Sequence, residues 1–342
     1  MSSGICSSTF KLINAIFKNT SATYKFYWFW AIIEVVEEDK KTIQKHELFS
    51  RMVALAWYTV NYFQVSFGSQ DLLQQAIYKI KEIEYLNIEA TKKDILAVLL
   101  ATQNKETLKT LNHFDKNVPH KFLSPWLGGG AKKEVYQKST QSIHNTPYAL
   151  ARNEITVYDD WYSYFKNNSG VLKSYCYWHL SLFLQARNPN VPEIPNKILK
   201  PIVRKSLNQH KTLYWDLIIE QLGGLNCIYT GEKLSKGNYI IEHFIPHQFV
   251  AHDLMWNLIP AESSFNSSKS NKLPPFDKYF EDFYLLQKEG VQIIKSLKPK
   301  NKFLQDYLSI FPNLIIDKVK YEEHIKPMLT IAHNNGFQYL TQ

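Results

Sequence analysis

Apolar residues recur at three- and four-residue spacing through most of the chain, the repeat of helices with one buried face. Residues 8–19, 22–39, 45–63, 69–86 and 91–103 all read this way. Thr20 or Ser21 is a candidate cap for the second of these helices, and Ser69 with Asp71 for the fourth. The longest apolar run, FYWFWAIIEVV at 26–36, is about half a membrane span and reads as a buried helix. No internal repeat has a fixed period.

Between 117 and 147 the pattern breaks into prolines, lysines and the stretch GGGAKK at 128–133. Without the GxxxxGK[ST] spacing this is not a phosphate loop, and it reads as a surface loop. Helical spacing resumes at 155–168 and 171–188, and the proline-rich 188–198 reads as a linker. A helix at 211–224 then leads into a different pattern. Residues 226–234 and 238–249 alternate like a hairpin feeding a short strand, 255–261 reads as a second strand, and 261–271 as a short helix stopped by Pro274–Pro275. Beyond them helices return near 276–290 and 301–310. The expected fold is mainly α with a small α+β part. A helical N-terminal domain over 1–211 precedes a C-terminal domain over 212–342, whose motif core is 226–274.

Composition narrows the field. The chain has 342 residues, 45% of them hydrophobic and 14% aromatic, enough for a large buried core and unlike a disordered chain. A formal charge of +9 points to a polyanionic partner, nucleic acid before an anionic membrane surface. Cys6, Cys176 and Cys227 are too scattered for a disulfide framework or a zinc site, so a reducing, cytoplasmic setting without a signal peptide or membrane span is expected.

The chemistry concentrates in IIEHFIPHQFVAHDLMWNLIPAESSFNSSKSNKLP, residues 240–274. Glu242 and His243 stand together, Pro246 follows, Asn257 comes fourteen residues after His243, Asn266 nine later, and Lys269 three beyond that. This order resembles the ββα-metal motif of HNH endonucleases. It is most similar to the subset with asparagine in place of the last histidine, as in the HNH domain of RNA-guided CRISPR nucleases. CIYTGEKL at 227–234 resembles the usual lead-in. Glu242 stands where aspartate is more usual, and the zinc-binding cysteine pairs of many such proteins are missing.

Phosphodiester hydrolysis needs an activated water, a neutralised transition state and a stabilised leaving oxygen. A histidine of ordinary pKa about 6.5 suits proton abstraction at neutral pH, which makes His243 the candidate base. One carboxylate and one amide oxygen suffice for a hydrated Mg²⁺ or Mn²⁺, one per site, which casts Glu242 and Asn266 as ligands. Asn257 is expected to hold the loop carrying His243, and Lys269, on the helix face of Asn266, to hold a phosphate oxygen. Strand neighbours point to opposite faces, so Glu242 and His243 share a site only if the strand ends or bends there. His247 and His252 lie in the intervening loop. Trp256 and Phe265 read as core, and Tyr229 and Thr230 as hairpin residues.

Six basic residues against one acid at 187–211, and eight lysines against four acids at 263–302, flank the motif. Lys132, Lys133, Arg204, Lys205, Lys269 and Lys272 are the candidate nucleic-acid contacts. The resemblance implies a metal-dependent endonuclease acting on DNA and leaving 5′-phosphate and 3′-hydroxyl ends, in a setting such as anti-phage defence or restriction. The expected N-terminal domain then selects substrate or docks a regulatory protein or a second copy. The rival readings are a non-catalytic nucleic-acid-binding or scaffold subunit, and a nuclease cutting RNA.

Overall fold

The computed structural model describes residues 17, 20–141, 146–199 and 206–341, apart from the side chains of residues 266 and 267. The expected helix at 8–19 therefore lies outside the described residues except at Phe17. The chain divides into two compact units, Met1–Pro189 with Lys197–Leu199 and Asn190–Asn196 with Lys200–Gln342.

The first unit is built around helix Tyr24–Glu37, in which ten of fourteen residues are buried. A helix apolar on all sides needs neighbours on all sides. It packs against helices Lys45–Asn61, Val118–Leu123, Asp159–Asn167 and Ser169–Arg187. Two polar tips inside this core are paired in series: Trp28 Nε1 donates to Tyr148 Oη at 2.8 Å, and Tyr148 Oη donates to the Pro119 carbonyl at 3.1 Å. Asp71 caps helix Leu72–Ile83 by accepting from Leu73 N, and also accepts from Thr23 N at 2.6 Å. The unit also contains an antiparallel sheet in the order β1 (Thr42–Gln44), β3 (Glu154–Val157), β2 (Tyr148–Leu150). The start of the expected 155–168 helix is thus β3. Its β-branched Ile155 is buried opposite Ile43, and the helix begins only at Asp159.

GGGAKK is a loop followed by a helix start. Gly128, Gly129 and Gly130 have φ of 71°, 94° and 122°, a left-handed run that only glycine makes without strain. Helix Lys132–Gln141 begins directly after it. No helix among the described residues is long and apolar enough to cross a membrane.

In the second unit, helix Phe276–Leu297 packs against helices Asp216–Leu222 and Lys318–Asn334. A π-helical turn, Lys211–Trp215, leads into the first of these. Between 225 and 269 lie a small hairpin of β4 (Leu225–Asn226) with β5 (Lys233–Leu234), an antiparallel pair of β6 (Ile240–His243) with β7 (Leu258–Ala261), and helix Ser263–Lys269. The second expected strand starts three residues late, because Met255–Asn257 forms a 3-10 turn. The helix stops at Lys269, where Ser270 turns left-handed at φ 46°, before the two prolines are reached.

Candidate active site

Strand β6 pairs Glu242 with Ile259 and His243 with Leu258, and it ends at His243. That termination lets neighbouring side chains serve one region, since the chain bends toward Pro246 directly after His243. Glu242 and His243 are both buried.

Asn257 is fully buried and holds the bend. Its Oδ1 accepts from Ile245 N and its Nδ2 donates to Ile245 O, both at 2.8 Å, while Phe244 N donates to its carbonyl at 2.8 Å. Both backbone groups of Ile245 are thereby satisfied away from water, which fixes the segment after His243.

The same turn is anchored from behind by the helical tail. Gln287 Nε2 donates to the Leu258 carbonyl at 2.9 Å, Tyr321 Oη donates to the Trp256 carbonyl, and Asp306 Oδ2 accepts from Met255 N at 3.0 Å. Trp256 is buried core, as its sequence context indicates, and Phe265 stacks on Tyr229 with ring centroids 4.5 Å apart. That stack ties the 225–234 hairpin to helix Ser263–Lys269.

His243 Nε2 lies 2.9 Å from Asp253 Oδ1, an ion pair when the ring is protonated. His247 stands alongside, its ring 5.2 Å from that of His243 and its Nε2 3.9 Å from Asp253 Oδ1. Burial pushes the Asp253 carboxyl up, but the His243 hydrogen bond and the charges of His243, His247 and His210 outweigh it and hold it below its usual range. Sequence reasoning passed over Asp253. Its only local signal is an acid beside His252, ten residues after His243.

Lys269 departs from its expected place. Its ammonium is fully buried and donates to Glu242 Oε1 and to the His243 carbonyl, both at 2.7 Å. Burial pushes its pKa down, opposed by the charge of Glu242 and their hydrogen bond. A buried carboxylate needs a counter-charge, and here the protein supplies it from the helix. In this arrangement Lys269 is not open to a phosphate.

Asn266 lies on helix Ser263–Lys269, one turn before Lys269, and its side chain is outside the described residues. Among the described residues no cluster of three or more histidine, cysteine or acidic side chains is placed to hold a metal. The donor chemistry nevertheless suits a hard, hydrated cation, which needs only an oxygen or two from protein. The Tyr229 hydroxyl supports that fit. It is buried without a hydrogen-bond partner among the described residues, and lies close enough to Glu242 that burial first, then that carboxylate, push its pKa well up. A water of a hydrated ion beside Glu242 would satisfy it.

Of the other candidate contacts, Lys132 is occupied, donating to the Asp115 carboxylate at 2.8 Å and to its carbonyl at 2.7 Å. Lys133 is exposed and Lys272 partly so, while Arg204 and Lys205 lie outside the described residues.

The strand pair, the buried acid and histidine, and the following short helix lie in the chain order strand, strand, helix within one short segment. Residues 227–275 match the family model of the HNH endonucleases, and this segment is similar to an HNH endonuclease domain. Such a domain points to nuclease activity and a nucleic-acid substrate, and enzymes of this family are generally metal-dependent. No curated protein and no solved structure matches the chain.

Proposed function

We propose that the protein is an endonuclease that hydrolyses DNA phosphodiester bonds at the end of β6. The observation that carries this reading is the convergence of Glu242, His243 and helix Ser263–Lys269 within the segment that matches the HNH family. His243 removes a proton from a water whose oxygen adds to phosphorus as the bond to the 3′ oxygen breaks, and the departing oxygen takes a proton to become the 3′-hydroxyl. Asn257 keeps the backbone after His243 fixed during this step. Glu242 and Asn266 would hold one Mg²⁺ or Mn²⁺, which when bound supplies positive charge to the phosphate and the leaving oxygen. With such a cation beside Glu242 the Lys269 ammonium would be released from neutralising that carboxylate and could hold a phosphate oxygen.

The first unit is read as the part that selects substrate or docks a regulatory partner or second copy, and anti-phage defence or restriction as the setting. Incubating purified protein with supercoiled plasmid, linear duplex and RNA, with and without Mg²⁺ or Mn²⁺, tests the activity. Metal-dependent nicking or linearisation of plasmid that is lost in His243→Ala supports it. Cleavage of RNA alone redirects the substrate. The Lys269–Glu242 pair gives one specific reason to weigh a non-catalytic binding subunit, since it already neutralises the acid. Duplex binding without cutting under every condition identifies that case.

A further inference from the structure

Asp253 is not part of the ordered Glu242, His243, Asn257, Asn266 and Lys269 pattern. It reaches His243 through an unusual turn. Helical turn His247–Val250 ends at Ala251, a non-glycine residue with φ 57°, whose N–H donates to the His247 carbonyl at 2.7 Å. A side chain in that region is strained, so the surrounding contacts must hold the turn in place. The reversal returns the chain so that the Asp253 carboxylate meets the His243 ring at 2.9 Å. Met255 N, two residues on, is pinned to Asp306.

An ionised carboxylate only accepts hydrogen bonds. The 2.9 Å contact therefore places the ring hydrogen on Nε2 and leaves the lone pair on Nδ1. When Nδ1 takes a proton, the same carboxylate stands against the charge that forms. Resting on the nuclease reading of this site, we infer that Asp253 is the positioning residue of the reaction. It fixes the tautomer and the orientation of His243, so that Nδ1 is the nitrogen that takes the proton from water. It does not contact the substrate. His247, whose Nε2 is 3.9 Å from the same Oδ1, flanks this pair without replacing it.

The test compares full-length wild type with Asp253→Ala and Asp253→Asn. The second keeps the shape and is available if the first folds poorly, with thermal melting as the check on both. Nitrogen-15 spectra of the His243 ring read the tautomer directly, without any reaction. The expected result is a dominant Nε2–H form in wild type and loss of that preference in Asp253→Ala. In the cleavage assay kcat falls about 10–100-fold, as for other residues that orient a site from behind, while KM and the metal concentration for half-maximal rate stay unchanged. A wild-type ring protonated on Nδ1 overturns the proposal, as does a folded Asp253→Ala with an unchanged kcat. Wild-type protein that cuts nothing sinks the nuclease reading instead, and the ring spectrum still reports whether Asp253 governs His243.

Discussion

Lys269 Nζ sits 2.7 Å from Glu242 Oε1, and that pair joins the short helix to the end of β6 inside the protein. Removing one member of a buried pair leaves the other uncompensated, at a cost of about 3–5 kcal/mol. Lys269→Met should therefore lower the denaturant midpoint sharply, and adding Glu242→Gln to it should recover most of the loss. A single variant as stable as wild type would show that Glu242 has another counter-charge.

His243→Ala should keep the fold and duplex binding, with a lowered thermal midpoint because Asp253 loses its partner, while cleavage falls on the order of 10²–10⁴-fold. Rate and binding are measured on the same preparation. Undiminished cutting would remove His243 from the role of base.

Glu242→Gln and Asn266→Ala should raise the Mn²⁺ concentration for half-maximal activity, with partial recovery at saturating metal, because the base is still present. EDTA should stop cleavage and leave the melting curve in place, since among the described residues no cluster of three or more histidine, cysteine or acidic side chains is placed to hold a structural metal. An unchanged metal titration in both variants would show that the ligands lie elsewhere.

Asn257→Ala orphans the buried N–H and C=O of Ile245, and each such group costs about 1–3 kcal/mol. Asn257→Asp keeps the acceptor but loses the donor and buries a carboxylate without a counter-charge, so at neutral pH its unfolding midpoint should fall at least as far as that of alanine. Equal midpoints for all three would mean the bend after His243 is held by other contacts.

Asp115 gives a pH-dependent term in the first unit. Burial raises its pKa, but hydrogen bonds from Lys132 and Lys45 outweigh this and hold it below the usual value. The sign follows from that depression: the stabilisation is complete above the unfolded value of about 3.9 and is lost as pH falls through the lower folded value. Chemical denaturation between neutrality and strong acid should show this loss in wild type and less of it in Asp115→Asn. The pairing also divides the two lysines at the start of helix Lys132–Gln141. Lys132→Ala should lower stability, whereas Lys133→Ala, if that residue meets DNA, should only flatten the salt dependence of binding by about one phosphate.

Much of the site could be read from the chain because its signal is local. The hairpin, the short strand ending in Glu242–His243 and the helix carrying Asn266 all lie within about 50 residues, where spacing and alternation carry the information. The burial of Lys269 was not legible: its ammonium pairs with an acid 27 residues away, and no spacing rule distinguishes that from a solvent-facing lysine. Asp253 was missed for a related reason, since only the left-handed turn at Ala251 brings it back to His243. The sheet of the first unit escaped notice because Ile43 meets Ile155 across more than a hundred residues, and such a pairing leaves only a short β-branched stretch in the sequence.

The grip of the tail on residues 255–258 also sets an order in time. A ribosome makes Glu242, His243 and Asn257 before it makes Gln287, Asp306 and Tyr321, the side chains that pin their supporting turn. A nascent chain thus carries every residue of the strand pair while the backbone beneath it is still unanchored. The anchored form of that turn is complete only when synthesis has passed Tyr321, so fragments from interrupted translation would end before the contacts that hold it.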